Sequence, residues 1–274
     1  ISRRRLHAAE ESHAGPALND HEITRYARHL VLREIGGPRQ LRLKQSRVLV
    51  VGAGGVGSPA LLYLASCGVG CLGVVDDDRV ELTNLQRQII HDETGLKTHK
   101  TRSAKTAIRR LNPLINVEEH RVRLDTTNAS DLIGAYDLVI DGADRIETRR
   151  LVNRVCVDCS VPLVFGAVSQ WEGQVGVILP GQSACYECLF PTTPAAGDIP
   201  TCAEAGVFGA LPGVVGTLAA IEAMKICMEI GTPLINAILI YDALHGNTRQ
   251  IACDRRPGCQ VCGHLWNTGS ENGI

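Results

Sequence analysis

Apolar and polar residues follow one another along the chain in a pattern typical of alternating strands and helices. Apart from Arg47, residues 47–51 form a short apolar run, and a glycine-rich turn and a helical pattern over residues 57–67 come directly after it. A second apolar run over residues 71–75 leads into Asp76. The order of strand, turn, helix and strand is that of a βαβ unit, and it predicts a parallel sheet.

The alternation continues to the C-terminal part of the chain. The patterns predict further helices over residues 101–112, 145–158 and 213–231, and further strands over residues 116–122, 137–141, 162–168, 174–180 and 237–243. A turn is predicted at Glu172-Gly173, between two of these strands. The fold class we expect is α/β: a Rossmann-like, doubly wound and mainly parallel sheet with a C-terminal antiparallel extension and a zinc knuckle.

The two ends of the chain and one internal segment differ from this pattern. Residues 1–18 and 265–274 are expected to be flexible tails, and the Pro-, Thr- and Gly-rich residues 190–210 a loop that crosses the sheet. Asn19 or Asp20 can cap a first helix, which we expect to continue to Gly36-Gly37-Pro38. Residues 19–264 are therefore interpreted as one domain.

Composition narrows the class of protein. The 274 residues carry a formal net charge of -1, so no overall basic field favours nucleic acid. Several of the eleven cysteines lie in apolar runs and their number is odd, which favours a reducing, cytoplasmic compartment over a disulfide framework. No apolar stretch reaches the roughly 20 residues of a membrane span. We therefore expect a cytoplasmic protein with neither nucleic acid nor a membrane among its partners.

A glycine-rich loop is the first candidate for chemistry. Gly52, Gly54 and Gly57 form a G-x-G-x-x-G pattern between a strand and a helix, and Asp76 follows at the end of the next strand. Glycine lets the backbone turn tightly near a phosphate, and the helix N-terminus favours negative charge. Asp76 could accept hydrogen bonds from ribose hydroxyls. The loop predicts a nucleotide site, although glycines that only permit close packing are the alternative.

The polar residues beyond Asp76 bear on which nucleotide is bound. The glycine pattern alone points first to NAD, whereas the triphosphate of ATP calls for additional cations and a metal ion. Asn84, Arg87 and Lys100 follow Asp76, and Asp144 follows a later strand at the same edge of the predicted sheet. Each could be a solvated loop residue by itself. Together they favour ATP, with magnesium on Asp144.

Three C-x-x-C pairs compete for a metal role. Cys156 and Cys159 fall in a helical apolar pattern, where cysteine is usually a small packing residue. The turn-rich settings of the other two pairs suit a structural zinc site with four thiolates, although His264 could compete as a ligand. These two pairs are Cys185 with Cys188 and Cys259 with Cys262.

Seven segments carry a resemblance to a known family between residues 19 and 264. These are RYARHLVL, RVLVVGAGGVGS, DDDRVELTNLQRQ, Lys100, DGADRIETRR, TCAEAGV and GCQVCG. In order and spacing they resemble the MoeB/ThiF adenylyltransferases, relatives of the ubiquitin-activating enzymes, and are most similar to molybdopterin-synthase adenylyltransferase. The resemblance implies ATP-dependent adenylation of the C-terminal glycine of a ubiquitin-like sulfur carrier with a Gly-Gly end. It also implies a homodimer and, for sulfur transfer, a separate sulfurtransferase.

The resemblance further implies roles for individual residues. Arg28 would reach the ATP of the other subunit, Asp144 would carry magnesium, the two cysteine pairs would hold Zn²⁺, and Cys202 would form a covalent bond to the carrier in some members. Arg145 departs from the asparagine that many members carry, which puts the metal or phosphate contacts there in question. The expected nucleotide contacts are Gly52, Gly54, Gly55, Gly57, Asp76, Asn84, Leu85, Gln86, Arg87, Gln88, Lys100, Asp144 and Arg145.

Other functions remain open from the residues alone. An NAD-dependent oxidoreductase would use the glycine loop and Asp76, but this function does not explain the presence of Lys100 and the two cysteine pairs that suit zinc. A noncatalytic nucleotide-binding subunit would be expected to have lost phosphate-contacting residues, and this chain keeps them. Within the family, a peptide or a modified tRNA nucleoside is an alternative substrate.

Overall fold

A computed structural model describes residues 17–192 and 205–266 of the chain. The strands of this part are β1 Arg47–Val51, β2 Cys71–Val75, β3 Asn116–His120, β4 Leu138–Asp141, β5 Leu163–Ser169, β6 Glu172–Ile178, β7 Ala237–Asp242 and β8 Asn247–Ala252. Its α-helices, numbered over the described residues, are α1 Asp20–Arg25, α2 Ala27–Leu30, α3 Gly36–Gln45, α4 Gly57–Cys67, α5 Lys100–Leu111, α6 Ala129–Gly134, α7 Ile146–Asp158, α8 Tyr186–Leu189 and α9 Leu211–Met228. Short 3₁₀ turns lie at Leu82–Asn84, Glu93–Gly95 and Gly263–Trp266.

All eight strands form one sheet in the order β3-β2-β1-β4-β5-β6-β7-β8. The first five strands are parallel, and β6, β7 and β8 extend the sheet by antiparallel pairing. The predicted fold class is thus confirmed. The chain builds outward from β1 in both directions, so β1 and β4 flank the point where the strand order reverses. Ligands of such sheets bind beyond the carboxyl ends of the strands at this point.

Side chains of β1 alternate between two apolar layers, as the pleat of a strand requires. Val48 and Val50 pack with helices α3, α4, α5 and α9 on one face. Leu49 and Val51 pack with α6, α7, α8 and the C-terminal cysteines on the other. Both faces of β1 are therefore buried, which explains why residues 48–51 are all apolar.

The first helix is shorter than the sequence predicted. Asn19 caps it, with a capping box to Glu22, as expected. The helical turns break at Tyr26, whose buried hydroxyl accepts a hydrogen bond from Asn112 Nδ2 at 2.9 Å. A new helix begins at Gly36, so the prediction that Gly36-Gly37-Pro38 ends a helix is wrong. Proline fits the first turn of a helix because amides there need no intrahelical acceptor.

Three other predictions of local structure require correction. The turn between β5 and β6 is at Gln170 and Trp171, while Glu172 and Gly173 already pair in β6. Strand β3 ends at His120 rather than at residue 122. Strand β8 was missed because all six of its residues are exposed, so no apolar alternation marks it.

Helix α9 is, within the described ranges, the one helix long and apolar enough to cross a membrane by length and composition. It lies against α4 and strands β5 and β6. Its buried residues Leu211, Val215, Ala219 and Ala223 recur every four positions and form one face. This is the packing of a core helix, and it accounts for the apolar composition.

Candidate active site

The glycine loop lies at the reversal point of the sheet. Gly52 donates its N–H to Val75 O at 2.8 Å, and Gly142 donates its N–H to Val51 O at 2.9 Å, so the loop is joined to both neighbouring strands. Gly52 has a φ of +88°, a conformation that only glycine adopts readily. A Cβ on Gly57 would lie 1.8 Å from Gly52 O. Both glycines are therefore required by the turn itself.

A cavity of about 580 Å³ opens in front of this loop, within the size range of small-molecule sites. The structure places eight of the expected nucleotide-binding residues in its wall: Gly52, Gly54, Gly55, Asp76, Arg87, Gln88, Lys100 and Asp144. These eight residues thus bring together the glycine loop, two cations and two carboxylates. Gln88 is buried, and its Oε1 has no hydrogen-bond partner among the described residues.

The other predicted residues lie outside the cavity wall. Asn84 Oδ1 instead accepts the N–H of Glu81 at 3.4 Å. Gln86 lies against Gly209, and Arg145 occupies the N-cap position of α7. Arg28 is exposed on α2. Gly57 and Leu85 are also absent from the wall, so the ligand contacts of these residues stay predictions.

Asp76 is held in place by backbone donors. Its carboxylate accepts the N–H of Ala53 at 2.8 Å and the N–H of Asp78 at 2.9 Å. Burial raises the pKa of Asp76, although Lys100 and these hydrogen bonds act against it. Lys100 is buried and pairs with Asp78 at 2.8 Å, and its own N–H donates to Asp78 O. The carboxylate and the ammonium group are thus positioned before any ligand arrives.

His91 supports the glycine loop and was missed by the sequence analysis. Its Nε2 donates to Ala53 O at 2.9 Å, and its Nδ1 lies 2.9 Å from Ser103 Oγ. The carbonyl acceptor fixes the tautomer with a proton on Nε2. Burial lowers the pKa of His91, so the ring is neutral at pH 7. No motif marks this residue, because its partner is a backbone atom 38 positions away.

A buried ion pair at the cavity wall, to which Arg149 contributes, was also missed. Asp141 ends β4, and its Oδ2 lies 3.5 Å from an Arg149 nitrogen. Arg149 also donates to the carbonyls of Ala143 and Gly166. Asp141 in turn accepts the N–H of Ala143 at 2.9 Å. The pair therefore holds the loop that carries Asp144 against strand β5.

The four C-terminal cysteines form a separate cluster. Cys185 Sγ lies 3.9 Å from that of Cys188 and 3.7 Å from that of Cys259, and Cys188 Sγ lies 3.5 Å from that of Cys262. A tetrahedral zinc site with bonds of about 2.3 Å requires sulfur separations of about 3.8 Å. The cluster fits the ion. Cys156 is fully buried in α7 and takes no part, nor does Cys159, as predicted.

Hydrogen bonds to the sulfur of Cys259 favour its thiolate form. Burial acts to raise the pKa of Cys259, but the backbone N–H groups of Cys262 and Val261 bring it down to about 7. A thiolate at Cys259 is the form that binds zinc. On either side of Cys259 and Cys262 in sequence, Arg255 and Trp266 form a further contact, with the guanidinium 4.3 Å from the ring centroid.

The far half of the cavity has a different character. Its wall includes Ser169, Glu172, Tyr186, Phe190 and Thr192. Next to the wall residues Glu172 and Val207 in sequence, Trp171 and Phe208 are partly exposed and stack with ring centroids 4.8 Å apart. This part of the wall is thus aromatic and polar, without the cations that line the part near the glycine loop. Cys202 and most of the predicted crossing loop lie outside the described residues.

Comparison with known proteins gives the family. The ThiF family model matches residues 26–261. The sulfur carrier protein adenylyltransferase of Thermus thermophilus is 47% identical over 88% of this chain and 91% of its own length. The SAMP-activating enzyme E1 of Haloferax volcanii is 44% identical over 90% of this chain and 91% of its own length.

Solved structures agree on the fold. A crystal structure of MccB from E. coli has a TM-score of 0.78 at 24% identity, covering 87% of this chain and 74% of that one. MccB solved with ATP has a TM-score of 0.75 at 25% identity, covering 87% and 73%. The chain therefore belongs to the ThiF family and, like the relatives that it matches along almost their whole length, it is an adenylyltransferase.

Proposed function

We propose that this enzyme uses ATP to adenylate the C-terminal glycine carboxylate of a ubiquitin-like sulfur carrier protein, releasing pyrophosphate. The observation that supports this most is the two-part cavity. One part brings the glycine loop together with Arg87, Lys100 and Asp144, and the other has aromatic and polar walls that suit a peptide end. The names of the relatives from Thermus thermophilus and Haloferax volcanii agree with a carrier substrate.

The residues present fit ATP and its magnesium ion. Gly54, Gly55 and Val56, which directly precede α4, line the cavity and would offer backbone N–H groups to the phosphates. Lys100 and Arg87 supply the cations that a triphosphate needs. Asp144 is exposed to the cavity and offers carboxylate oxygens, which magnesium prefers. Magnesium bound there would neutralise charge on the departing pyrophosphate.

The chemistry requires no general base. A carboxylate is already ionised at neutral pH, so it can attack the α-phosphorus directly. The attacking oxygen forms a bond to phosphorus as the bond to the bridging oxygen of pyrophosphate breaks. Lys100 and Arg87 would stabilise the charge that develops, and the glycine loop would hold the phosphates in line. The products are an acyl-adenylate and pyrophosphate.

The remaining assignments form part of the same proposal. The four-cysteine cluster would hold a structural zinc ion with no open coordination position. Arg28 would complete the site of the second subunit in a homodimer, which agrees with its exposure on α2. Cys202 would bind the carrier covalently, a separate sulfurtransferase would supply sulfur, and the enzyme would act in the cytoplasm. Residues 19–264 would form the adenylation domain.

Carrier-dependent exchange of labelled pyrophosphate into ATP tests the function. We expect exchange with a Gly-Gly-ended carrier and a loss of about 100-fold or more in Asp144→Ala and Arg87→Ala, because electrostatic stabilisation of a transition state is worth about that much. Arg154→Ala serves as a control, since Arg154 is exposed on α7 away from the cavity. Undiminished exchange in both site variants would overturn the residue assignments. An absence of exchange with every carrier, despite ATP binding, would overturn the substrate.

A further inference from the structure

Helix α8 belongs both to the cysteine cluster and to the cavity. Cys185 directly precedes this helix and Cys188 lies within it, and both sulfurs join the cluster. Tyr186, Leu189 and the following Phe190 line the cavity. The helix has only four residues, so it cannot hold its shape by internal hydrogen bonds alone. Its position must be set by neighbouring elements.

Helix α7 supplies those contacts at both ends of α8. At the N-terminal end, the buried side chain of Asn153 accepts the N–H of Tyr186 at 2.9 Å. At the C-terminal end, Arg150 donates to Phe190 O at 3.1 Å and to Thr192 O at 2.9 Å. Arg150 thus places a cation at the carbonyl end of the helix, where the helix dipole favours one.

The Arg150 side chain is itself fixed by an ion pair. It is paired with Glu187, which lies between Cys185 and Cys188 in sequence, and both side chains are at least 85% buried. Arg150 does not line the cavity, so it acts only through the segment it holds. One side chain therefore joins the metal-binding helix to residues 190–192 of the cavity wall.

We propose that Arg150 is a positioning residue that fixes residues 186–192 as the acceptor-side wall of the cavity and so sets the affinity for the acceptor carboxylate. The inference rests on the proposed function, because it takes this half of the cavity as the place of the acceptor. The nucleotide half is built from other elements, namely the glycine loop, the end of β2 and Lys100. Loosening residues 186–192 therefore affects acceptor binding and leaves ATP binding nearly unchanged.

The test compares Arg150→Met and Arg150→Lys with Arg154→Met, a matched change one turn further along α7 at an exposed arginine. We expect KM for the carrier to rise at least fivefold in Arg150→Met, with KM for ATP and kcat within twofold of the wild type. Arg150→Lys retains the charge next to Glu187 but has all its N–H donors on one nitrogen, so it cannot reach Glu187 and both carbonyls as the two guanidinium nitrogens do. Its KM should therefore be intermediate. Arg154→Met should behave as the wild type, and metal content should be equal in all variants.

Hydrogen exchange gives a readout that needs no substrate. Amide exchange in residues 186–192 should be faster in Arg150→Met than in Arg154→Met, while exchange in α4 stays the same. Equal exchange in both variants, or an equal rise of KM for ATP and carrier, would overturn the positioning role. A wild-type enzyme without carrier-dependent activity, combined with faster exchange in Arg150→Met, would overturn the proposed substrate and leave the structural part of the inference standing.

Discussion

At the scale of single residues, Gly57 is under the strictest steric limit of the glycine loop. A Cβ there would lie 1.8 Å from Gly52 O, a backbone atom that cannot rotate away. We expect Gly57→Ala to lower the free energy of unfolding by about 3 kcal/mol or more, as overpacking of a rigid site does. Chemical denaturation measures the difference.

Gly54→Ala is the matched control for this change. A Cβ at Gly54 meets only Gln88 Nε2, at the ordinary contact distance of 3.7 Å, and Gly54 has no positive φ. We expect its stability to lie within about 1 kcal/mol of the wild type. If the two variants unfold at the same denaturant concentration, the steric account of the loop is wrong.

His91 predicts a pH dependence of stability. Its pKa in the folded protein is lower than the usual value of 6.5 for a histidine side chain, so the unfolded chain binds more protons in the interval between the two pKa values. The stabilisation by the neutral ring is complete above pH 6.5 and is lost as the pH falls. We expect Tm to fall less between pH 7 and about pH 5 in His91→Gln than in the wild type. A steeper fall in the variant would contradict this reasoning.

The same residues show which parts of the site a sequence can reveal. Gly52, Gly54 and Asp76 stand at fixed spacings because one strand, turn and helix place them together. His91 and Arg149 act through backbone carbonyls that lie far away along the chain, and any residue can provide such a carbonyl. Their partners therefore become visible only when the sheet is assembled. The role of Arg150 is not visible in the sequence for the same reason, because it donates to the backbone carbonyls of Phe190 and Thr192.

At the scale of elements, the Asp141–Arg149 pair joins the end of β4, the start of α7 and strand β5. Both side chains are buried, so removing one leaves an uncompensated charge. We expect Arg149→Met to lose about 3–5 kcal/mol of unfolding free energy. Equilibrium unfolding in urea would measure this loss.

The double variant Asp141→Asn/Arg149→Met distinguishes two contributions to the free energy of unfolding: the destabilisation by an unpaired buried charge and the stabilisation by the ion pair. It should lose less stability than Arg149→Met alone, because no unpaired carboxylate remains in the interior. Strictly additive losses from the two single changes would show that the pair is not coupled as the structure indicates.

Prediction of the elements succeeded where burial dictates the composition. Strands β1, β2 and β4 are covered on both faces and consist almost entirely of apolar residues, so their positions could be predicted from the sequence. Strand β8 is fully exposed, and the break at Tyr26 depends on a hydrogen bond to Asn112, 86 residues away. The local pattern of apolar and polar residues reveals neither an exposed strand nor a hydrogen bond between residues far apart in sequence.

At the scale of the whole molecule, the cysteine cluster ties residues near the C-terminal end of the described chain to the segment before the crossing loop. Cys259→Ser/Cys262→Ser should lose about one equivalent of zinc per chain and lower Tm by about 5 °C or more, because metal binding contributes to folding free energy. Metal analysis and calorimetry measure the two effects. Cys156→Ser/Cys159→Ser provides the contrast, since these cysteines lie outside the cluster and should leave the zinc content unchanged. Retention of zinc in the first variant would place the metal elsewhere.

The chain has two tryptophans, one beside the cavity and one beside the cysteine cluster. Trp171 stacks on Phe208 at the acceptor end of the cavity, and Trp266 follows the cysteine cluster under Arg255. Intrinsic fluorescence therefore contains two separable optical signals. With Trp266→Phe, the remaining emission reports on arrival of the carrier; with Trp171→Phe, it reports on the metal. The two single-tryptophan variants would thus allow carrier binding and metal binding to be followed separately in time.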